Sequence, residues 1–331
     1  MLKLLEDESA IQKYRRQFIK SFKPFWDEKI RVALGHPGGA IEANVFWSDR
    51  LGIWMHQEKI SGNRCGHAFG VGKPVKIASI PITCEINFPL RGIDRRMGGA
   101  LSEDRRGRVF VVHRGKIGGG KKGVGKSLFD KYYRGTWAVM EDGDCETTVA
   151  LVGSLNSPRF VRQAVQFIRK VDAMKDLISR RSSQMEMAFD DVRFREELIG
   201  AAYDPSGRYP VSDCDHGITV SDLHAALKKK GIKTANDPLR DLFIVNATGQ
   251  ATTVFQILTD HSTTALNGGI SALLLDNVDL TPKPLLIIVI PAGIDPTLKE
   301  KLKKIGIDTL EYEWREDCAI FPRLSDFINI S

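Results

Sequence analysis

The sequence lacks any long apolar run. Among its 331 residues, no stretch approaches the roughly 20 consecutive apolar residues that a membrane-spanning helix needs. The first residues, MLKLLEDESAIQKYRRQF, mix acidic and basic side chains, whereas a secretory signal has a continuous apolar centre. We therefore predict a cytoplasmic protein that has no membrane partner.

Paired cysteines are absent as well. The five cysteines lie far apart in the sequence, and no two of them form a C-x-x-C motif. Neither a disulfide framework nor a zinc site is therefore predicted, and we assign no metal site from this spacing. With 42% hydrophobic and 27% charged residues, the composition is that of a folded globular protein and excludes extended disorder.

Basic residues are plentiful, and they are concentrated in one segment. Between Arg91 and Arg134 the chain carries thirteen Lys or Arg and four acids, whereas the net charge of the whole chain is +7. This density predicts binding to a polyanion, and we take DNA as the partner, leaving open whether it is modified or single-stranded. The alternative is a solvated basic loop without a partner. The candidate phosphate contacts are Arg91, Arg95, Arg96, Arg105, Arg106, Lys116, Lys121, Lys122 and Lys126.

Residues 118–127, GGGKKGVGKS, match the motif G-x-x-x-x-G-K-S from Gly120 to Ser127. This spacing is that of the phosphate-binding loop of nucleotide hydrolases, so an NTPase is an alternative function. Such a loop directly follows a buried strand and opens a helix of several turns. Here six residues separate the predicted strand RVFVVH from Gly120, and the next glycine allows a helix of barely two turns. We therefore favour a flexible cationic loop that lies along a nucleic-acid backbone.

Four residues before the basic segment are candidates for contact with a base. Trp47 and Trp54 could stack on a single-stranded or extruded base, because aromatic rings near a cationic surface do so. Glu85 and Asn87 lie on one face of the predicted strand TCEINFP and could read a base edge. The alternative is that the tryptophans belong to a core and that Glu85 and Asn87 form a buried polar pair.

The chain divides by pattern into two halves. Residues 1–155 predict a mainly β, nucleic-acid-binding domain, because short β-branched and aromatic runs alternate with Gly, Pro and Asn. Residues 156–211 predict connecting helices and a linker, since apolar residues first recur at helical spacing and are then followed by Pro, Gly and Asp. Residues 212–331 predict an α/β domain with a mixed sheet. The predicted fold class is therefore α+β with two domains.

From residue 217 the predicted order of elements is α-β-β-α-β-α-β, in which PLLIIVIPAG is a strand buried on both faces. This order, with the segments DLFIVN and TTVFQILTD, resembles the core of the PD-(D/E)XK restriction-endonuclease superfamily. In that family an acid on one strand and a Glu-x-Lys on the next hold Mg²⁺ and orient the attacking water. Asp241 stands at the position of the first acid, whereas Gln256 and Leu258 stand at the positions of Glu and Lys.

The resemblance implies a nuclease-like domain that has lost its catalytic residues and requires no cofactor. We predict a DNA-binding protein related to restriction and defence endonucleases, in which this domain is a scaffold or forms a homodimer. The alternative is an active, modification-dependent endonuclease that uses Mg²⁺ and relocated ligands, because a basic domain joined to a nuclease-like core resembles the layout of such proteins. The relocated ligands would be Asp260 and the acids or histidine before the first helix, Asp213, Asp215 and His216.

Overall fold

The computed structural model of the protein describes residues 1–36, 39–58, 61–76, 79–118, 124–182, 192–204 and 214–328. Within these residues the chain is of mixed α/β type, with six α-helices and several sheets. Its contacts divide it into two compact units. The first unit is Met1–Glu186 with Ala201–Cys214, and the second unit is Met187–Gly200 with Asp215–Ser331.

The described part of the first unit consists mainly of short strands. Its helices are α1 (Glu8–Phe22), α2 (Lys126–Tyr132) and α3 (Phe160–Ser182). Its strands are β1 (Leu2–Leu4), β2 (Glu28–His36), β3 (Gly39–Ser48), β4 (Ile53–Gln57), β5 (Arg64–Cys65), β6 (His67–Val71), β7 (Ser79–Pro81), β8 (Cys84–Glu85), β9 (Phe88–Pro89), β10 (Gly99–Glu103), β11 (Val109–His113), β12 (Arg134–Gly135), β13 (Trp137–Asp142), β14 (Cys145–Ser154) and β15 (Ala201–Ala202).

Five of these strands form a closed barrel in the order β1-β10-β11-β14-β13. The barrel closes because β1 pairs antiparallel with β10 and parallel with β13. Successive residues of a strand point to opposite faces, so Phe110 and Val112 pack in one apolar cluster with Leu4, whereas Val109 and Val111 pack in another. The second of these clusters also contains the apolar faces of α1 and α3.

A second sheet of the first unit has the order β7-β2-β3-β4-β6-β8. Its centre is the long hairpin of β2 and β3, which pair from Glu28 opposite Trp47 to His36 opposite Gly39. Trp54 of β4 is paired with Gly70 of β6. The indole ring packs so closely over this glycine that a Cβ at position 70 would lie 2.3 Å from it. The sheet therefore tolerates only glycine at this position.

Helix α3 packs within the first unit, although the sequence predicted that it belongs to a connecting segment at 156–211. The helix contacts β6 and β14, and its apolar residues share a core cluster with the barrel. These residues recur at the spacing of one helix face, which the strands cover. They are Phe160, Ala164, Phe167, Ile168 and Val171.

The second unit is an alternation of helices and strands. Its elements are α4 (His216–Lys229), β16 (Thr234–Ala235), β17 (Leu242–Val245), β18 (Ala251–Ile257), α5 (Thr263–Leu275), β19 (Leu285–Pro291), α6 (Pro296–Lys304), β20 (Ile307–Arg315) and β21 (Cys318–Ile320). The short strands β16 and β21 were not predicted from the sequence. The burial predicted for PLLIIVIPAG is confirmed at its centre, where residues 287–290 are fully inaccessible.

The six strands of the second unit form one mixed sheet in chain order, β16-β17-β18-β19-β20-β21. Strands β18, β19 and β20 are parallel, and the flanking pairs are antiparallel. Phe255 and Ile257 pack in a cluster with α4, whereas Val254 packs in a cluster with α5 and α6. The helices therefore cover both faces of the sheet.

Candidate functional site

The first unit contains a cavity of about 810 Å³ whose lining mixes apolar and charged side chains. The apolar part includes Leu34 and Ile41, which are paired in the register of β2 and β3, together with Ile82 and Met97. Ile41 is 46% exposed, whereas Leu34 is buried. A cavity with an apolar lining and a few polar groups suits an organic ligand that has an apolar face and a polar edge.

Glu85 is held in this lining by two donors. Its Oε2 accepts hydrogen bonds from Nη2 of Arg64 at 2.8 Å and from Nδ2 of Asn87 at 2.6 Å. The same guanidinium group forms an ion pair with Glu58 at 3.3 Å. Within the described residues no group donates to Oε1 of Glu85, so this oxygen keeps its acceptor capacity.

Asn87 is buried, and backbone groups hold it in place. Its Oδ1 accepts a hydrogen bond from the N–H of His67 at 2.9 Å. A Cβ on Gly99 of β10 would lie 2.8 Å from the carbonyl oxygen of Asn87, so the cavity wall packs directly on the barrel. A Cβ on Gly98 would likewise lie 2.5 Å from Nε2 of His113. The glycine pair in the segment RRMGGALSE is therefore required for this close packing.

His113, the last residue of the barrel strand β11, contacts the part of the cavity lining that contains Glu85. Its Nε2 donates to the carbonyl oxygen of Glu85 at 3.2 Å, and its Nδ1 accepts from the N–H of Gly115 at 3.0 Å. This pair of partners requires the neutral imidazole. Complete burial lowers the pKa of His113 to about 4, which keeps the ring neutral at physiological pH.

Two of the predicted phosphate contacts, Arg96 and Lys116, line the cavity. The side chain of Arg96 is 91% exposed beside Asp94, and Nζ of Lys116 donates to the carbonyl oxygen of Arg95 at 2.8 Å. Arg91 is exposed, and its backbone is hydrogen-bonded to a cavity-lining residue, Asn63. The structure therefore brings the basic residues of the 91–96 loop and Lys116 to one place beside the cavity.

Arg105 and Arg106 lie at the other end of the β10–β11 hairpin. Gly99 pairs with His113 at the end beside the cavity, and the paired strands extend four residues farther before the chain turns at the two arginines. Four residues of strand correspond to about 14 Å. Five of the predicted phosphate contacts thus lie in two groups near the two ends of one hairpin: Arg91, Arg96 and Lys116 at one end, and Arg105 and Arg106 at the other.

One cation of the basic segment is not available to a partner. Arg114 is only 6% exposed, and its Nε and Nη2 donate to the two carboxylate oxygens of Asp142, both at 3.1 Å. This bidentate ion pair is buried within the first unit and has a structural role. Counting charges along the sequence therefore overestimates the charge that the surface presents.

The first half of the motif, including Gly120, Lys121 and Lys122, lies outside the described residues. Its last residues begin α2, which is only seven residues long. Nζ of Lys126 lies 3.2 Å from Asp130 and 3.5 Å from the carbonyl oxygen of Thr148. The preceding strand β11 is an antiparallel strand of a barrel. The described part of the motif therefore does not favour the NTPase alternative.

The two tryptophans proposed for base stacking are both buried. Trp47 is 5% exposed and Trp54 is 2% exposed, and they are paired on adjacent strands of the second sheet. Residues of a strand alternate between the two faces of the sheet, and residues directly opposite each other share a face. Both rings therefore lie on the same face of this sheet, where they pack in one apolar cluster. Neither ring is open to a base in this structure, which agrees with the alternative that both belong to the core.

In the second unit, Asp241 directly precedes β17 and Gln256 lies on the adjacent strand β18. Oδ2 of Asp241 accepts hydrogen bonds from Nε2 of Gln256 at 2.7 Å and from the N–H of Ile257 at 2.9 Å. The same oxygen lies 3.1 Å from Nε2 of His216, the first residue of α4. The structure thus brings together Asp241, Gln256 and His216, all of which the sequence had pointed to.

The residue at the position of the family's Lys and two of the proposed relocated ligands are not part of this group within the described residues. Leu258 is 7% exposed and packs in the apolar cluster of α5. Asp260 lies beyond β18, which ends at Ile257, and Oδ1 of Asp260 accepts a hydrogen bond from the N–H of Ser262 in the next turn. Asp213 lies outside the described residues.

The donor set around Asp241 does not fit Mg²⁺. This ion requires octahedral oxygen ligands, with carboxylates among them. Here a single carboxylate faces two N–H donors and an imidazole nitrogen. Across the described ranges, no three His, Cys, Asp or Glu side chains come close enough together to hold a metal ion.

No known protein family, curated protein or solved structure matches this chain. Of the helices in the described ranges, none combines the length and the apolar character needed to cross a membrane.

Three residues of the first unit contribute to the cavity region and were not predicted. Arg64 holds Glu85, and Ile41 supplies exposed apolar lining. Lys175 on α3 is only 3% exposed and donates to the carbonyl oxygen of Gly118 at 2.9 Å, where the glycine-rich loop begins. These contacts join residues more than 20 positions apart, so no local spacing in the sequence indicates them.

Proposed function

We propose that the protein binds DNA through the basic surface of the first unit and that the second unit does not cleave DNA. The observation that carries the proposal is that Arg96, Lys116 and Gly118 line the same cavity as Glu85 and Asn87. The two most basic loops of the chain therefore meet at a cavity with polar groups. Cations beside such a cavity neutralise phosphates, and the polar groups are available to a base.

The separation of the two basic groups supports a duplex as partner. A distance of about 14 Å along the hairpin corresponds to roughly four base pairs of B-DNA at about 3.4 Å each. The group at Arg91, Arg96 and Lys116 and the group at Arg105 and Arg106 could then contact phosphates of one duplex. The surface has no need of sequence-specific contacts for this binding.

For the second unit, we propose a nuclease-like scaffold without catalytic activity. Its order of elements resembles the PD-(D/E)XK core, and Asp241 directly precedes β17 while Gln256 lies on the adjacent strand β18. However, an amide and a leucine replace the Glu and Lys, and the remaining carboxylate is occupied by protein donors. Leu258 also provides no cation at the position from which the family's Lys would stabilise an activated water.

Binding and cleavage assays on the pure protein test the proposal. Fluorescence anisotropy with a labelled 30-bp duplex at low salt should show binding, and supercoiled plasmid incubated with Mg²⁺ or Mn²⁺ should stay intact. Absence of binding at low salt would contradict the proposed DNA contact. Metal-dependent cleavage that is lost in Asp241→Ala would instead favour the alternative of an active nuclease with relocated ligands.

A further inference from the structure

We infer that the cavity of the first unit receives a cytosine base extruded from DNA. This inference rests on the proposed DNA binding and adds to it the group that is recognised. Enzymes and binding proteins that act on a single base read its hydrogen-bonding edge in a pocket and cover its faces with aromatic or apolar side chains. The cavity lining offers both kinds of contact.

The polar lining matches the edge of cytosine. Oε1 of Glu85 is an acceptor without a partner in the described residues, and carboxylates accept from the exocyclic amino group of cytosine. Arg64 contacts Glu85 and Glu58 through Nη2 alone, so its other N–H groups remain available as donors. Next to its amino group, cytosine presents two acceptors, N3 and O2, which these donors and the amide of Asn87 can satisfy. Thymine has no amino group to offer Glu85.

The apolar lining suits the faces of the ring. Ile41 is 46% exposed and lines the cavity beside Leu34, Ile82 and Met97. A base inserted between these side chains would cover the exposed part of Ile41 and remove apolar surface from water. This burial would offset part of the free energy needed to unstack the base, which is a few kcal/mol.

The cavity also has room for more than a bare base. Its volume of about 810 Å³ lies within the range of roughly 300–1,000 Å³ that is typical of small-molecule sites. A cytosine together with its sugar and a substituent on the ring would fit this space. Unmodified and substituted cytosine share the recognised edge, so the experiment uses the unmodified base first.

The test compares three labelled 20-bp duplexes: one fully paired, one with a single unpaired cytosine and one with a single unpaired thymine. An unpaired base is the cheapest to extrude. We expect the protein to bind the cytosine duplex about tenfold more tightly than the thymine duplex. Glu85→Gln should abolish this preference, so that the cytosine and thymine duplexes bind equally. The matched control is Glu42→Gln, which also removes a carboxylate from an ion pair with an arginine, Arg31, but outside the cavity lining.

A second variant and a second measurement make the test independent of the folding of Glu85→Gln. Ile41→Gln, at a half-exposed position, should weaken binding to both duplexes that carry an unpaired base. Pyrrolocytosine at the unpaired position should gain fluorescence when wild-type protein binds, because the base leaves the stack. Equal affinity for the cytosine and thymine duplexes, or unchanged pyrrolocytosine fluorescence with bound protein, would overturn the cytosine pocket and leave the DNA binding intact. Failure to bind any duplex would overturn the proposed function itself.

Discussion

Nε2 of Gln256 donates a hydrogen bond to Oδ2 of Asp241 at 2.7 Å. In the nuclease family that we propose as a likeness for the second unit, these two positions carry acids that hold a metal ion together. In this protein the amide instead satisfies the remaining carboxylate. Asp241 therefore acts as a hydrogen-bond acceptor between β17, β18 and α4, and its role is in the stability of the second unit.

Asp241→Ala should destabilise the protein. The substitution leaves the N–H of Ile257, a residue that is 2% exposed, without its acceptor, and an unsatisfied buried group costs about 1–3 kcal/mol. The free energy of unfolding, measured by urea denaturation, should fall by this amount. Asp279→Ala, at an exposed position, serves as the control and should have no effect. An unchanged stability for Asp241→Ala would contradict the structural role.

Gly99→Ala should also destabilise the protein, because its Cβ would lie 2.8 Å and 3.0 Å from two backbone atoms of Asn87. Relief of this clash requires the cavity wall to move away from the barrel, and overpacking of this kind costs about 1–3 kcal/mol. Gly118→Ala is the matched control, since among the described residues no atom beyond the chain neighbours lies within 4 Å of the added Cβ. Thermal or urea unfolding of the two variants provides the comparison, and equal stability of both would show that the wall is not packed as described.

Stability should depend on pH through two buried histidines. Burial lowers the pKa of His67 and of His113 to about 4, whereas a histidine in an unfolded chain has a pKa of about 6.5. Between these values the unfolded chain binds protons that the folded protein does not bind. The stability is therefore complete above about pH 6.5 and falls as the pH decreases toward 4, by at most roughly 3 kcal/mol for each histidine.

Urea denaturation over this pH range measures the effect. His67→Gln should make the pH dependence shallower even where it lowers the stability at neutral pH. His261→Gln, at an exposed histidine of the second unit, should leave the pH dependence unchanged. A wild-type stability that stays constant from pH 7 to pH 5 would show that these histidines are not buried in the neutral form.

Lys126→Ala should have no effect on nucleotide hydrolysis, because the ammonium group of Lys126 is engaged by Asp130 and the carbonyl oxygen of Thr148. Any trace ATPase signal of the preparation should be the same for the variant and the wild type. Isothermal titration with MgATP measures binding directly. Tight binding that is lost in Lys126→Ala would support the NTPase alternative.

Much of the second unit could be predicted from the sequence, because its elements are long and strongly periodic. The apolar strand at 285–291 and the helices α5 and α6 lie where the pattern places them. Short strands such as β16 and β21 could not be predicted, since two or three residues carry no periodicity. The position of α3 was also unpredictable, because an apolar helix face does not reveal which strands will cover it.

The candidate site was predictable only in part. Glu85 and Asn87 are two positions apart in the sequence, and the structure joins them by a hydrogen bond. The partner of Glu85, Arg64, comes from another strand 21 positions away. The burial of Trp47 and Trp54 depends on which face of the sheet is covered. The alternation of residues along a strand shows which side chains share a face, but it does not show which face is covered. The Arg64–Glu85 contact and the burial of the two tryptophans therefore depend on contacts between residues that are distant in the sequence, which local patterns do not reveal.

The salt dependence of DNA binding tests the account of the basic surface. Each phosphate contact contributes about 0.9 to the slope of log affinity against log salt on duplex DNA. Removing two contacts should therefore make the slope shallower by about two units. We expect this change for Arg91→Ala with Lys116→Ala beside the cavity, and for Lys121→Ala with Lys122→Ala in the glycine-rich loop.

The most direct measurement uses Arg105→Ala with Arg106→Ala, since both side chains are exposed at the hairpin turn and are distant from the cavity. Its matched control is Lys228→Ala with Lys229→Ala, at exposed positions at the end of α4 in the second unit. In an anisotropy series over salt concentration, the arginine variant should bind more weakly with a slope shallower by about two units, and the lysine variant should resemble the wild type. An unchanged slope for the arginine variant, with a large loss of affinity for the lysine variant, would contradict the assignment of DNA binding to the first unit.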